Sequence, residues 1–270
     1  MAEDRNSSAS LRRALTVLAA LREPTADGIG LALVDLAEKL DMNKSTLLRL
    51  IKPLRDFDLV CQTADGRYRI GVGAVALGDS YLAGLDLRAV ARPALEALAQ
   101  RTGETAHLLV YSQLEVTYVD KVDAPSSIRM ASRIGNRMPM YCTASGKVFL
   151  AYLTNSPLEA VIAAGLNQRT PNTITSSAAL REAVDGVRRI GYAIDDVENE
   201  PEIRCVSAPI FGHDAEIAAA ISISGPESRM TLARTTELGL VVRSAAREIS
   251  VLLGAPPVRT EIQFLKGEIA

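Results

Sequence analysis

Two amphipathic helical segments separated by only three residues, Asp41-Met42-Asn43, restrict what the front of this 270-residue chain can become. In LALVDLAEKL the side chains of Leu33, Leu36, Ala37 and Leu40 share one helical face, and in KSTLLRLIKPLRDF so do Leu47, Leu50, Ile51 and Leu54. Helices joined this tightly must cross, and their apolar faces need a third partner. The upstream LRRALTVLAALRE supplies one, with Leu11, Leu15, Leu18 and Leu21 at helical spacing and Ser10 as the expected N-cap. Asn43 is expected to cap the third segment, which leaves Lys44, Ser45, Thr46 and Arg49 around its start and outer face. Helix, short turn, polar-started helix is a helix-turn-helix pattern. In LVCQTADGRYRIG two short alternating runs flank Ala64-Asp65-Gly66, a hairpin signal that adds a wing.

A helix that starts this way can enter a major groove with Lys44, Ser45, Thr46 and Arg49 near base edges, while Arg67 and Arg69 of the wing reach phosphate or the minor groove. Charge favours this locally, not globally. The net charge is −2, but between Met42 and Gly73 six basic side chains (Lys44, Arg49, Lys52, Arg55, Arg67, Arg69) face three acidic ones (Asp56, Asp58, Asp65). Three helices of this kind also suit docking to a protein, and spacing alone does not choose. Pro53 removes a bond to the Arg49 carbonyl and is expected to kink or shorten the third helix, leaving its N-terminal half for contact.

The chain is 48% hydrophobic and 23% charged, enough for a substantial core and, at this length, two domains. With no Trp and four Phe that core is aliphatic. No apolar run approaches the roughly 18 residues of a membrane span, and MAEDRNSSAS lacks the layout of a signal peptide, so a cytoplasmic protein without membrane association is expected. Cys61, Cys142 and Cys205 are far apart with no CxxC pair, which predicts reduced thiols rather than disulfides or a zinc site.

Val72–Leu82 reads as an apolar helix broken at Gly84, and Asp86 starts another, LRAVARPALEALAQRTG, in which Pro93 argues for a kink or a later start and Gly103 supplies the stop. From Thr105 the period changes to that of strands: TAHLLVY, EVTYVDKV and SIRMAS. Helices follow at ASGKVFLAYL, PLEAVIAAGL and SAALREAVDGVRRI, then strands YAIDD, IRCVSAPIF and IAAAISIS, and a long closing helix from Thr231. The expected fold is therefore two domains, an all-α winged helix-turn-helix followed by an α+β domain with an antiparallel sheet. The boundaries are 1–71, a linker helix over 72–85, 86–254, and a tail over 255–270.

In the second domain, Thr143-Ala144-Ser145-Gly146 precedes an apolar helix; the free N–H groups of such a start bind carboxylates, or the segment is an ordinary cap. Ser222 and Ser224 alternate with Ile221 and Ile223 and so face one side, offering hydrogen bonds to a small acid. Met130 and Met138 are candidates for an apolar wall, and Arg129, Arg133 and Arg137 for pairing with a carboxylate. An enzyme is not expected: there is no GxSxG, no phosphate loop and no GxGxxG after a strand, and His107 and His213 are the only histidines. His107 reads as a satisfied core residue. No catalytic residue, cofactor or metal is predicted.

Four stretches carry a resemblance. LVDLAEKLDMNKSTLLRLIKPL resembles the winged helix-turn-helix of the isocitrate lyase regulator (IclR) family of bacterial transcription regulators, and GRYRIGVGAVALG its wing and linker helix. RMPMYCTASGKVFLAYL is similar to that family's P-x-x-x-T-A-x-G-K-x-x-L-A segment, and GYAIDDVENEPEIRCVSAPIF with AAISISGP to its ligand-binding strands. The likeness spans nearly the whole chain in the correct order. Asp41 and Asp58 stand where similar sequences often have glycine, and Pro53 is a further departure. The resemblance implies a GAF-like second domain in which Asp195 and Cys205, with Ala144 and Ser145 at the helix start, hold an effector. It also implies a repressor or activator that acts on a double-stranded operator as a homodimer or a tetramer and responds to a small organic acid. Two other readings stay open: a GAF-like sensor whose helical head binds protein, and a Cys205-dependent enzyme.

Overall fold

The side chain of Asn43 opens the helix that matters most in the first half of the chain, accepting from the Thr46 N–H at 2.8 Å and from Ser45 Oγ at 2.9 Å. The structure, a computed structural model, describes residues 2–22, 30–124 and 131–257. It divides into two units, before and after the Gly84–Leu85 bond. The first holds α1 (Ala2–Arg22), α2 (Leu33–Lys39), α3 (Lys44–Asp56), the antiparallel hairpin β1 (Val60–Gln62) and β2 (Tyr68–Ile70), and α4 (Gly73–Ala83). Leu47, Leu50, Ile51 and Leu54 of α3 are buried with Val17, Leu36 and Tyr68 in one apolar cluster. Truncating Leu47, which is fully buried, to Ala would cost about 2–5 kcal/mol. Asp41 and Asp58 leave α2 and α3 with φ of 50° and 55°, left-handed positions that aspartate tolerates.

Three expectations need correction. Helix α1 starts at Ala2 rather than at Ser10, and it buries Ala14, Val17, Ala20 and Leu21. Leu11 and Leu15 are 63% and 55% exposed, because the cluster of α2 and α3 begins only at Ala14. Pro53 does not shorten α3: it lies in the last turn, and the helix runs on to Asp56, with Phe57 N–H donating to the Pro53 carbonyl. Pro93 likewise does not delay its helix, which starts at Leu87, where the Asp86 side chain accepts from Arg88 N–H at 2.9 Å.

The second unit opens with α5 (Leu87–Thr102) and forms a six-stranded antiparallel sheet in the order β5-β4-β3-β8-β7-β6. The strands are β3 (Thr105–Ser112), β4 (Glu115–Val122), β5 (Arg137–Pro139), β6 (Ala193–Asp196), β7 (Ile203–Phe211) and β8 (Ile217–Pro226). Helices α6 (Ala144–Tyr152), α7 (Leu158–Ala164) and α8 (Ser177–Ile190) lie between β5 and β6, and α9 (Leu232–Leu252) closes the unit. Period-two alternation sends Leu108, Val206, Ile221 and Ile223 to one face, where α5 and α9 cover them with Leu95, Leu98, Leu238 and Val242. The other face carries Leu109, Ala193, Ala220 and Phe211 against Val148 and Phe149 of α6 and Leu180 and Val184 of α8.

The strand expected at SIRMAS falls mostly outside the described residues. Residues 127–130 lie outside the described residues, Ala131 and Ser132 are not in a strand, and pairing with β4 falls at Arg137–Pro139. There Gly135, at φ 89°, donates to the Tyr118 carbonyl and lets the chain re-enter the sheet. No described helix is long and apolar enough to cross a membrane.

Candidate functional site

The first unit presents α3 with its N-terminal half open. Lys44, Ser45 and Arg49 are exposed and Thr46 is half-buried, while the apolar side of the same helix is packed inward. No hydrogen bond or ion pair among the described residues engages Arg49, so its guanidinium is available. The hairpin turn is fixed by Gly66 at φ 85° and by a Thr63 N–H bond to the Arg67 carbonyl. Its two arginines differ. Arg69 is exposed, with Nε directed at Cys61 Sγ at 3.3 Å, whereas Arg67 donates to the Gly30 carbonyl at 3.1 Å and pairs with Asp65 at 3.3 Å. A phosphate contact by Arg67 has to compete with those bonds; one by Arg69 or Arg49 does not compete with any oxygen acceptor.

In the second unit, strand register assembles residues that are far apart in sequence. Asp195 on β6 pairs with Cys205 on β7, Cys205 with Ser224 on β8, and Ser224 with Thr105 on β3. The next row on the same face is Ala193, Ser207, Ser222 and His107. A polar floor of this kind, in a sheet whose opposite face is built mainly on Leu108, Val206, Ile221 and Ile223, is not needed for packing. Helix α6 lies over it, and Ser145 Oγ meets Ser207 Oγ at 2.9 Å. Thr143 caps α6 by accepting from Gly146 N–H at 3.1 Å, while the first-turn N–H groups of Ala144 and Ser145 have no intrahelical acceptor. A side chain at Gly146 is impossible without movement, since its Cβ would stand 2.2 Å from the Met140 carbonyl oxygen.

Charge is concentrated beside this floor. Lys147 and Glu198 are both buried and meet at 2.5 Å. Asp195, also buried, accepts from the N–H groups of Glu198 at 2.7 Å and Asn199 at 3.4 Å. Burial raises its carboxyl to about 7, against the opposing pull of Lys147 and of those N–H donors. Burial likewise raises Glu198 despite its Lys147 partner, and holds the Cys205 thiol well above its ordinary range, with Asp195 adding to the effect. Cys205 is thus a protonated thiol, a weak donor rather than a nucleophile. Among the described residues no group of His, Cys, Asp and Glu could hold a metal ion.

Of the residues singled out in the sequence, the structure brings Asp195, Cys205, Ser222 and Ser224 onto one face, with Ala144 and Ser145 above them. Met138 is half-buried opposite Val116, outside that pair of rows, and packs into the cluster of Leu109 and Phe149. Met130 and Arg129 lie outside the described residues. Arg133 and Arg137 are exposed, and Arg137 pairs with Glu115 at 3.5 Å. The sequence reading missed Lys147, Glu198 and Thr105. A lysine inside the otherwise apolar KVFLAYL helix was the available signal for the first. It also took His107 for a satisfied residue, whereas only Nε2 is bonded, to Ser132 Oγ at 2.7 Å, and Nδ1 is not.

Comparison with known proteins gives concordant findings. Residues 10–64 match the family model described as the IclR helix-turn-helix domain, and residues 79–251 that of the bacterial transcriptional regulator IclR C-terminal domain. The chain is 33% identical over 249 residues to the HTH-type transcriptional regulator XynR of Escherichia coli, covering 92% of this chain and 98% of that one. It is 35% identical over 249 residues to the transcriptional repressor IclR of the same organism, covering 91% and 90%. An IclR-type regulator from a Silicibacter species superposes with a TM-score of 0.82 at 29% identity, covering 92% of this chain and 96% of that one. The Agobacterium tumefaciens repressor BlcR gives 0.77 at 26%, covering 93% and 99%.

Proposed function

Because the chain belongs to the IclR family of bacterial transcription regulators, we propose that it binds a two-fold operator as a homodimer through α3 and the β1–β2 wing, and releases or re-aims it when a small organic acid occupies the floor beneath α6. It is an HTH-type regulator with an effector-binding C-terminal domain, not an enzyme. Lys44, Ser45, Thr46 and Arg49 are assigned to the groove and Arg69 to phosphate, with Arg67 in a secondary role because of its internal bonds. Dimerisation is assigned to α4, whose Val75, Leu77 and Tyr81, with Val72 just before it, are all more than half exposed. The functional domains follow as 1–71, the linker over 72–85, and 86–254, and the protein works in the cytoplasm, where its operator is.

The observation that carries the effector assignment is the row Asp195-Cys205-Ser224-Thr105, buried except for a half-buried Cys205, lying under a helix start. The Ala144 and Ser145 N–H groups favour a carboxylate, and the two serines and Cys205 offer hydrogen bonds to its remaining oxygens. Asp195 sets a condition: ionised, it repels an anion, so a carboxylate enters with Asp195 protonated or with its charge held away by Lys147. An allosteric coupling of about 1–3 kcal/mol would change operator affinity roughly five- to 150-fold, enough to switch a promoter. A gel shift with the DNA flanking its own gene, run at two salt concentrations, tests the operator half of this account. Specific retardation that weakens steeply with salt is expected; retardation indifferent to salt would point to contacts other than those assigned to Arg49 and Arg69.

A further inference from the structure

Among the described residues, two buried side-chain polar atoms have no hydrogen-bond partner, His107 Nδ1 and Glu198 Oε2. Both residues border the polar floor under α6. For Glu198 the reason is at hand, since its other oxygen meets Lys147. For His107 nothing among the described residues accounts for it. The ring is fully buried, its Nε2 is engaged by Ser132 Oγ, and Tyr118 packs against it with ring centroids 4.9 Å apart. Burial, reinforced by Lys121, lowers its pKa to about 3, so the ring is neutral and Nδ1 is either a bare acceptor or a lone donor. Folded proteins rarely leave such an atom unpaired, and an apolar residue would suit the strand better. The register sets His107 beside Ser222 and, through it, Ser207.

We propose that His107 is a specificity-determining residue of the effector site, its Nδ1 pairing with a hydroxyl at the end of the effector distant from the carboxylate. This rests on the effector reading above. A hydroxyl suits either tautomer, because it donates to a bare Nδ1 and accepts from a protonated one. Length is limited too: Cys205 and His107 are two strands and one row apart, roughly 12 Å between Cα atoms, a distance that a two-carbon acid does not bridge and one of about five carbons does with a hydrogen bond at each end. The ligand class is a medium-length hydroxy acid.

The test uses the full-length protein with δ-hydroxyvalerate against valerate, together with the homologous pairs one carbon shorter and longer. Calorimetry should show the hydroxy acid of the fitting length binding about threefold to tenfold more tightly than its parent, and His107→Leu should level the two. With only two histidines in the chain, imidazole nitrogen NMR follows the same event without any change at His107, His213→Gln assigning the spectrum. Binding of the hydroxy acid should move the Nδ1 resonance of His107, and the parent acid should not. Equal affinity within every pair, or an unmoved Nδ1 at saturation, overturns the role of His107. Should these acids bind equally and lose affinity in Asp195→Ala, the site stands and His107 alone is refuted; if no acid binds, the proposal and the site fall together.

Discussion

Asp195→Asn should make this protein more stable at alkaline pH than at acidic pH relative to its parent, a direction opposite to the usual loss of a carboxylate. The carboxyl is buried and its pKa is raised from 3.8 to about 7. A group raised in the folded state favours folding while protonated, so its contribution is greatest below about pH 4, declines as pH rises, and is lost above about pH 7. At about 1.4 kcal/mol per unit the full penalty is roughly 4 kcal/mol, of which about 2–3 kcal/mol falls between pH 5 and pH 7. An amide does not titrate, so the variant escapes it. Groups that do not interact with Asp195 are common to the two proteins and cancel in the difference, and the thiols it raises, Cys142 and Cys205, are pushed up out of this pH range. Urea unfolding followed by far-ultraviolet circular dichroism is the suitable assay, as the chain has no Trp to report. The variant should gain about 2–3 kcal/mol on its parent between about pH 5 and pH 8. A difference independent of pH would refute the reasoning, because Asp195 would then be ionised throughout and stabilised by Lys147 more than it is penalised by burial.

Three further outcomes follow from the same geometry. Lys147→Met should destabilise the second unit by about 3–5 kcal/mol, since it leaves Glu198 buried without a counter-charge, and adding Glu198→Met should recover most of that loss in the same unfolding assay. Gly146→Ala places a Cβ 2.2 Å from the Met140 carbonyl oxygen and must displace the start of α6; the response to acid should disappear in gel shifts while operator binding without acid persists. Arg49→Ala should weaken operator binding by about 1–3 kcal/mol with unchanged thermal unfolding, and unaltered affinity would remove Arg49 from the interface.

What the sequence disclosed and what it hid divide along the range of the interactions. Asn43 as a cap, the Leu47-Leu50-Ile51-Leu54 face and the turn at Gly66 are fixed within a few residues and were legible from spacing and residue type. The left-handed backbone at Asp41 and Asp58 was signalled only by the resemblance, in which glycine often stands at both positions. The prolines were misjudged because packing and capping outweigh their local cost: α3 runs on through Pro53 with its apolar face buried, and the Asp86 cap sets the start of α5 ahead of Pro93. Leu11 and Leu15 look like core by period, yet nothing in the sequence of α1 tells where α2 and α3 stop covering it. The candidate site was partly visible, since the alternation of Ser222 and Ser224 puts both on one face. The pairing of Lys147 with Glu198, 51 residues away, and the row from Asp195 to Thr105 depend on sheet order, which no local pattern encodes.

The central claim is that one acid-binding site and one DNA-binding surface share a coupling free energy, and reciprocity tests it most directly. The dissociation constant of an effective acid should be measured by calorimetry with and without saturating operator DNA, alongside the operator's own affinity with and without that acid. The account predicts the same fold-change in both directions, and none in Asp195→Ala. An acid that binds equally well in the presence and absence of operator, or a coupling that survives intact in the Asp195 variant, would contradict it.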